Sequence, residues 1–281
     1  DLISSRYIEI VKELGLTIDI SAYLDDIKEK IAGGYSEDYV ASRGEYLNGL
    51  ILAELLGYEF IDAAEVICFN EAGAFDQERT DEVIRERLAD CERAVIPGFY
   101  GSRPNGAIQT FSRGGSDVTG AIVARGVAAD IYENWTDVSG FLMADPRIVN
   151  NPKPIERITY RELRELAYMG ANVLHEDSIF PVRQAGIPIN IKNTNEPEAA
   201  GTFIVPNEVD TGKAGTITGI AGRKDFTVIA IEKTLMNAEL GFGRKLLSII
   251  ESHGVSFEHM PTGIDSICVV ISDNQLNGKL D

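Results

Sequence analysis

The stretch that decides the fold of this chain is FSRGGSDVT, residues 111–119. It places an arginine, two adjacent glycines, a hydroxyl and a carboxylate directly before a predicted apolar helix. Because glycine accepts backbone conformations closed to other residues, Gly114 and Gly115 allow N–H groups to converge on an anion. The helix adds the positive end of its dipole at the same point, and Arg113 can bind a carboxylate through two parallel hydrogen bonds. The stretch therefore predicts a site that holds a small acidic molecule beside a phosphate donor.

A second polar loop, WTDVSG at residues 135–140, follows one helix and one strand later in the predicted order. The helix is expected over 118–127 and the strand over 130–135. Together the two loops predict the transfer of a phosphoryl group onto a carboxylate.

Composition excludes several other classes of function. The chain has 281 residues, and its 26 Lys and Arg against 44 Asp and Glu give a net charge of −18. Such a field repels nucleic acids and anionic membranes, so neither is an expected partner. No apolar run approaches the roughly 20 residues of a membrane span, and the first residues lack a signal-peptide core. Three widely separated cysteines without metal spacing are typical of reduced residues, which predicts a cytoplasmic protein.

The N-terminal part, from about residue 6 to residue 88, is predicted to be mainly helical. The sequence SRGE at 42–45 has the form of a capping box, and apolar residues between Leu47 and Leu55 follow it at helical spacing. We therefore expect a helix to begin at this capping box.

From Arg93 onwards, short strands alternate with helices, which favours a mainly parallel sheet covered on both faces. Asn105-Gly106 predicts a hairpin, and TYRE at 159–162 predicts a second capping box that opens a helix through residue 169. Further elements are expected over 94–96 (strand), 107–110 (strand), 178–185 (helix) and 187–191 (strand).

The C-terminal part has the order of a small ferredoxin-like module. A boundary is expected near 206–219, where apolar periodicity lapses. A strand over 226–231 then precedes a helix that ends at 253–254, and two strands follow over 255–259 and 266–271. This β-α-β-β order matches most of that module.

These motifs together resemble the aspartate kinases, a family with the amino-acid-kinase fold and a C-terminal ACT regulatory region. The resemblance rests on the order and spacing of six short motifs in one chain. They are SRGE (42–45), Gly98-Phe99, RGGSD (113–117), Thr136-Asp137, DPR (145–147) and VLH (173–175).

The resemblance implies an α/β protein with a three-layer α-β-α catalytic domain over 1–208 and a partial ACT-like domain over 216–281. The implied reaction moves the γ-phosphoryl group of ATP onto the side-chain carboxylate of L-aspartate, giving 4-phospho-L-aspartate on the route to lysine, threonine and methionine. Such a transfer depends on positioning and charge neutralisation more than on covalent help from the protein.

The resemblance also assigns roles to particular residues. Asp117 is expected to be catalytic and to orient lysines. The expected aspartate-binding residues are Glu45, Phe99, Arg113, Gly114, Gly115 and Ser116. The expected nucleotide-binding residues are Thr136, Asp137, Leu142, Arg147 and Asn172. An inhibitory amino acid, lysine or threonine, is expected at Met236, Gly241, Phe242, Ser256, Phe257 and Glu258.

Some of these residues also have simple structural explanations. Ser116 is expected to cap the helix that follows it, and Glu45 completes the first capping box. Phe242 and Phe257 fit a plain hydrophobic core as well as a ligand site. No protein carboxylates are expected to bind metal, since Mg²⁺ is expected to arrive on the ATP phosphates.

The chain departs from the family pattern at three points. The N-terminal strand and glycine-rich loop, which supply a catalytic lysine, have no counterpart here. Asn172 occupies the position of a second family lysine, so it can donate hydrogen bonds but brings no charge. A second ACT repeat is also missing.

Two other functions remain open at this point. One is another amino-acid kinase, acting on glutamate or acetylglutamate. The other is a catalytically silent amino-acid-sensing subunit, which Asn172 and the missing loop favour. The ACT-like tail argues against the other amino-acid kinase. For the aspartate kinase we expect a homodimer or larger assembly formed through the ACT-like part.

Overall fold

The computed structural model describes residues 2–112, 114–168, 176–209 and 217–276. The chain divides into two compact units, Asp1–Ala221 and Gly222–Asp281. Helices of the first unit are α1 (Leu2–Glu13), α2 (Ile20–Ala32), α3 (Glu37–Leu56), α4 (Ala63–Val66), α5 (Gln77–Arg87), α6 (Gly115–Gly126), α7 (Tyr160–Tyr168) and α8 (Glu176–Ala185). Its strands are β1 (Glu59–Phe60), β2 (Ala94–Val95), β3 (Tyr100–Ser102), β4 (Ile108–Thr110), β5 (Tyr132–Thr136), β6 (Arg157–Thr159), β7 (Ile189–Asn193) and β8 (Thr202–Val205).

The main sheet of the first unit has four strands in the order β5-β7-β8-β6. β5 pairs with β7 in parallel and β6 with β8 in parallel, whereas β7 and β8 run antiparallel. Side chains from α6, α7 and α8 close over this sheet, and the buried residues include Ala121, Leu163, Val182, Ile189 and Ile204. The prediction of a mainly parallel sheet packed against helices is thereby confirmed.

Helix α6 lies between two hydrophobic cores. Ala121 and Ala124 pack into the core of the four-stranded sheet. Ile122, on another side of the helix, packs with Ile84 and Tyr100 in a second core. The middle of α6 is therefore buried between the two cores.

The predicted capping box at 42–45 is wrong. α3 begins at Glu37, where Ser36 caps the helix by accepting a hydrogen bond from the Tyr39 N–H at 3.3 Å. Glu37 and Asp38 in the first turn are favoured by the helix dipole. Ser42 lies inside the helix, and its hydroxyl donates back to the Tyr39 carbonyl at 2.8 Å. It therefore cannot cap, and Glu45 has no capping role.

The second capping box and the hairpin are confirmed. The Thr159 hydroxyl accepts from the Glu162 N–H at 3.2 Å, and the Glu162 carboxylate accepts from the Thr159 N–H at 2.8 Å. β3 and β4 pair antiparallel, and Gly106 in their turn has φ +80°, a conformation that favours glycine.

The second unit contains β9 (Phe226–Glu232), α9 (Phe242–Ser252) and β10 (Ser266–Ser272), with β9 and β10 paired antiparallel. The strand predicted over 255–259 is wrong, because only His259 forms a bridge, to Val270. The Ser256 N–H donates instead to the Gln275 side chain at 3.0 Å. A side-chain partner thus replaces the neighbouring strand at this point.

None of the helices in the described ranges has the length and apolar character needed to cross a membrane.

The start of α6 is pressed against residues 97–99, which we call the 97–99 bend. A Cβ atom added to Gly115 would lie 2.5 Å from Phe99 Cβ, and one added to Gly98 would lie 3.0 Å from Ser116 Cα. Phe99 has φ +66°, and its N–H donates to the Thr119 hydroxyl at 2.9 Å. The same hydroxyl donates to the Gly115 carbonyl at 2.8 Å. Only glycine at 98 and 115 allows this approach.

We predict that Gly115→Ala lowers the free energy of unfolding by about 1–3 kcal/mol, because the added methyl group overpacks the contact with Phe99. Urea unfolding measures the change. The matched control is Gly44→Ala, since Gly44 lies within α3 and a Cβ there meets nothing within 4 Å. Removing a glycine from a helix should raise stability by about 0.5–1 kcal/mol. A Gly115→Ala protein as stable as Gly44→Ala would contradict the account of the bend.

Candidate active site

The N-terminus of α6 presents backbone donors without a capping side chain. Gly114 is the residue that precedes the helix, with φ 57° and ψ 25°, and no described side chain accepts from the first turn. Within the described residues, which leave out Arg113, the first α-helical hydrogen bond runs from the Val118 N–H to the Gly114 carbonyl at 2.9 Å. No described group accepts from the N–H groups of the three residues before Val118, so they can bind an anion, and the helix dipole favours negative charge there.

The expectation that Ser116 caps α6 is wrong. Gly114 occupies the position before the helix, and Ser116 lies inside the first turn. The left-handed backbone that Gly114 adopts brings the helix start two residues earlier than a cap at Ser116 would allow. The Ser116 hydroxyl is thus not used for capping.

Asp117 is held by a polar pair on β5. The Asn134 amide donates to the Asp117 carboxylate at 2.9 Å, and it lies 3.0 Å from the Tyr132 hydroxyl. That hydroxyl donates to the Asp117 carbonyl at 3.3 Å. Burial, and then the charge of Asp117, raises the pKa of Tyr132, so its hydroxyl stays protonated and remains a donor at neutral pH. Asp117 therefore has a fixed orientation at the α6 N-terminus.

Thr136 and Asp137 follow at the end of the same strand. Because side chains alternate along a strand, Thr136 lies on the face of β5 that carries Asn134, about 7 Å further along. The Thr136 hydroxyl approaches the Asp137 carboxylate at 3.3 Å. The Thr136 carbonyl accepts from both the backbone and the hydroxyl of Thr194. Thr136, at the end of β5, therefore lies on the same strand face as Asn134, which contacts Asp117 at the α6 N-terminus.

The loop after β5 is tied to the end of β7. The Ser139 hydroxyl donates to the Glu196 carboxylate at 2.9 Å and accepts from the Asn193 amide at 2.8 Å. Trp135 is 44% exposed, and the Lys192 ammonium lies 4.8 Å from its ring centroid. An exposed aromatic ring and a cation thus lie beside the same strand end.

Leu142 and Arg147 lie further along this loop. Leu142 is 39% exposed. Arg147 is largely exposed and forms a two-pronged ion pair with Asp145, with a shortest distance of 2.7 Å. Hydrogen bonds from Arg147 lower the pKa of Asp145. Among the described residues no contact joins Arg147 to Thr136 or Asp137.

Glu45 lies in the middle of α3, and it is half-buried. Burial raises the pKa of Tyr7 most, and the negative charge of Glu45 raises it further. No hydrogen bond within the described part of the chain joins Glu45 to the α6 N-terminus. Arg113, Asn172 and His175 lie outside the described residues.

The predicted effector residues fall into two groups in the second unit. Met236 is buried and shares a core with Phe242, while Gly241 precedes α9 with φ +76°. Ser256 and Phe257 line a separate cavity of about 550 Å³ with residues of α9 and Gln275. The Gln275 amide donates to the Ser256 hydroxyl at 2.7 Å, and the Glu258 N–H donates to the Val270 carbonyl at 2.8 Å.

Sequence reasoning missed Tyr132, Asn134 and Thr119, which hold the site in place. The signal was present in β5, where Tyr132, Asn134 and Thr136 alternate as polar residues in a strand expected to be buried. A buried asparagine in such a strand needs a partner. That partner is Asp117.

Comparison with known proteins places the chain among amino-acid kinases. Residues 4–193 match the amino acid kinase family. Aspartokinase 3 of Bacillus subtilis (strain 168) is 39% identical over 296 residues, covering 100% of this chain and 64% of that protein. The crystal structure of Clostridium acetobutylicum aspartate kinase, described as an allosteric enzyme, is 62% identical, with a TM-score of 0.86, and covers 100% of this chain and 64% of that one.

Escherichia coli aspartokinase III is a more distant structural relative, solved in two states. Its complex with lysine and aspartate (T-state) is 27% identical with a TM-score of 0.66, covering 95% of this chain and 62% of that one. Its complex with aspartate and ADP (R-state) is 25% identical with a TM-score of 0.68, covering 97% and 65%.

The present chain spans 64% of the length of both the Bacillus and the Clostridium relatives. The family match and the structural similarity confirm the fold predicted from the sequence. With residues 4–193 matched, the chain belongs to the amino acid kinase family.

Proposed function

We propose that this chain is the larger part of an aspartate kinase, which transfers the γ-phosphoryl group of ATP to the side-chain carboxylate of L-aspartate. The observation that carries the proposal is the uncapped α6 N-terminus beside the oriented carboxylate of Asp117. The similarity to aspartokinases, one of them solved with aspartate and ADP, supports this substrate pair.

In this proposal the α6 N-terminus binds the negative charge of the reacting groups. The N–H groups of Gly115 and Ser116 point toward the substrate carboxylate, and Gly114 gives the backbone the turn that exposes them. Arg113 binds the second carboxylate of aspartate, Glu45 its ammonium group, and Phe99 forms a wall of the pocket. Because the acceptor carboxylate is already ionised at neutral pH, no general base is required.

Asp117 acts by orientation rather than by direct attack. A fixed carboxylate next to phosphate oxygens would repel them, unless it holds a cationic group between them. Its hydrogen bond from Asn134 fixes the direction in which such a cation is held. We infer that Asp117 positions a basic group over the transferred phosphoryl group.

The end of β5 holds the nucleotide in this proposal. Thr136 and Asp137 bind polar groups of the nucleotide, Leu142 supplies apolar contact, and Arg147 and Asn172 bind phosphate oxygens. The half-exposed Leu142 and the largely exposed Arg147 fit these roles. Mg²⁺ would neutralise the phosphate charge when bound. We expect the ion to arrive with the nucleotide, held mainly by phosphates and water.

We infer that the first unit contains the predicted catalytic domain, residues 1–208. The second unit contains most of the predicted regulatory, ACT-like domain, residues 216–281. The cavity lined by Ser256 and Phe257 is the part of the second unit that fits an amino-acid effector. Lysine is the candidate, because E. coli aspartokinase III was solved with it. A homodimer through this unit is part of the proposal.

We predict that the protein forms an acyl phosphate from ATP and aspartate, but not from ATP and glutamate. Hydroxylamine trapping measures the product, and a reaction without ATP is the control. Product from glutamate in place of aspartate would identify another amino-acid kinase. No product from either, with amino-acid binding retained, would identify a sensing subunit.

We predict that Asp117→Asn lowers kcat by about a hundredfold, because loss of the charge misplaces the group that it positions. The KM for aspartate should change much less. Asp90→Asn is the matched control, since Asp90 is exposed. Equal activity of the two variants would contradict the role of Asp117.

We predict that lysine inhibits the protein and that Ser256→Ala raises the lysine concentration for half-inhibition about tenfold, equivalent to about 1.4 kcal/mol. The variant loses the hydroxyl that binds Gln275 in the effector cavity. Steady-state kinetics measure the shift, with Ser252→Ala as the control, because Ser252 is exposed at the end of α9. An unchanged half-inhibition concentration would place the effector elsewhere.

A further inference from the structure

A cavity of the first unit shares no lining residue with the proposed active site. It has a volume of about 450 Å³ and lies between α2, α3 and the turn that joins β3 to β4. That volume is within the range of about 300–1,000 Å³ typical of small-molecule sites. Arg43 of α3 lines this cavity, which we call the Arg43 cavity. Glu45 is two positions further on, so its side chain leaves α3 about 200° away around the helix.

Arg43 is a buried cation with unused donors. It is 8% exposed. Its Nε donates to the Tyr39 carbonyl at 3.2 Å and the Ser42 hydroxyl at 3.1 Å, and its Nη2 donates to the same hydroxyl at 2.9 Å. A guanidinium has five N–H groups. Three of them therefore have no acceptor among the described residues, and no described carboxylate forms an ion pair with Arg43.

Aromatic rings surround this guanidinium. Its central carbon lies 4.5 Å from the ring centroids of Tyr39 and Tyr46, and 5.3 Å from that of Tyr100. Their negative faces stabilise a cation. Burial raises the pKa of both Tyr39 and Tyr46, so these rings carry no charge at neutral pH. The rings hold Arg43 in place without neutralising it.

Asp62 supplies an acceptor in the same cavity. Its Oδ1 accepts from the Ala64 N–H at 3.0 Å and from the Tyr100 hydroxyl at 2.7 Å. Its Oδ2 has no partner within the described part of the chain. Asp62 and Arg43 thus approach the same tyrosine, yet no ion pair between them is found among the described residues. A buried charge without a counter-charge is costly, which favours a ligand that matches both.

The other charges of the cavity are paired. The Lys30 ammonium and the Asp26 carboxylate lie 2.8 Å apart near the surface, so this pair is already neutral. The remaining walls are phenol rings and aliphatic side chains, including Tyr35 and Ile108. The cavity therefore offers one unmatched cation, one unmatched carboxylate oxygen and apolar surface.

We propose that the Arg43 cavity binds a free α-amino acid with an aromatic or aliphatic side chain. The ligand carboxylate accepts from Arg43, its ammonium group donates to Asp62, and its side chain packs against Tyr35 and Ile108. This site is distinct from the aspartate site at the α6 N-terminus and from the effector cavity of the second unit.

Calorimetric titration with L-phenylalanine tests the proposal. The titration contains neither ATP nor aspartate, so its result does not depend on the proposed activity. L-Phenylalanine should bind, and 3-phenylpropionate and phenethylamine, which each lack one charged group, should bind at least about tenfold more weakly, a loss of about 1.4 kcal/mol. The absence of binding by L-phenylalanine and by L-leucine would overturn the proposal. Equal binding of 3-phenylpropionate would overturn the role of Asp62.

Two variants locate the binding. Arg43→Gln should abolish it, and Arg85→Gln, at an exposed position on α5, is the matched control. Ala107→Trp fills the cavity from its exposed rim without touching the core, so it remains informative if Arg43→Gln fails to fold. It should also abolish binding. Unchanged affinity in the folded Ala107→Trp protein would show that L-phenylalanine binds elsewhere and would overturn the proposal.

Discussion

The contact between the first turn of α6 and the 97–99 bend is the constraint on which the proposed active site depends. It leaves no space for a Cβ atom at Gly115, and it holds Phe99 in a backbone conformation that is uncommon for its residue type. Thr119 fixes both partners, since its hydroxyl accepts from the Phe99 N–H and donates to the Gly115 carbonyl. The helix start is thus rigid before any ligand arrives, which is what a site that acts by positioning requires.

The same helix start is oriented toward the sheet by a buried polar contact. Asn134 is 7% exposed on β5, and an unpaired amide there would cost about 1–3 kcal/mol. Its hydrogen bond to Asp117 satisfies the amide and fixes the carboxylate at once. Stability and function therefore favour the same contact. It also brings the end of β5, with Thr136, onto the side of the sheet that α6 covers.

The sequence predicts the elements whose signals are local. The capping box at Thr159 and Glu162 and the hairpin at Gly106 form as expected, because each depends on neighbouring residues only. The box expected at Ser42 is wrong because Ser36, six residues earlier, begins the helix and places Ser42 within it. A pattern of four residues cannot show whether an earlier serine already caps the same helix.

Contacts between distant segments are what the sequence could not supply. The strand expected over 255–259 is replaced by a side-chain contact between Ser256 and Gln275, which are 19 positions apart. The Arg43 cavity likewise depends on helices and a hairpin turn that meet only in the folded chain. Arg43 was visible in the sequence only as part of an expected capping box, and its burial among three tyrosines follows from packing.

A crystal structure of the protein with aspartate and a non-hydrolysable ATP analogue tests the central claim most directly. The account predicts the aspartate side-chain carboxylate within hydrogen-bond distance of the Gly115 and Ser116 N–H groups, with the terminal phosphate between it and Thr136. Aspartate bound elsewhere, with the first turn of α6 facing solvent, would contradict it.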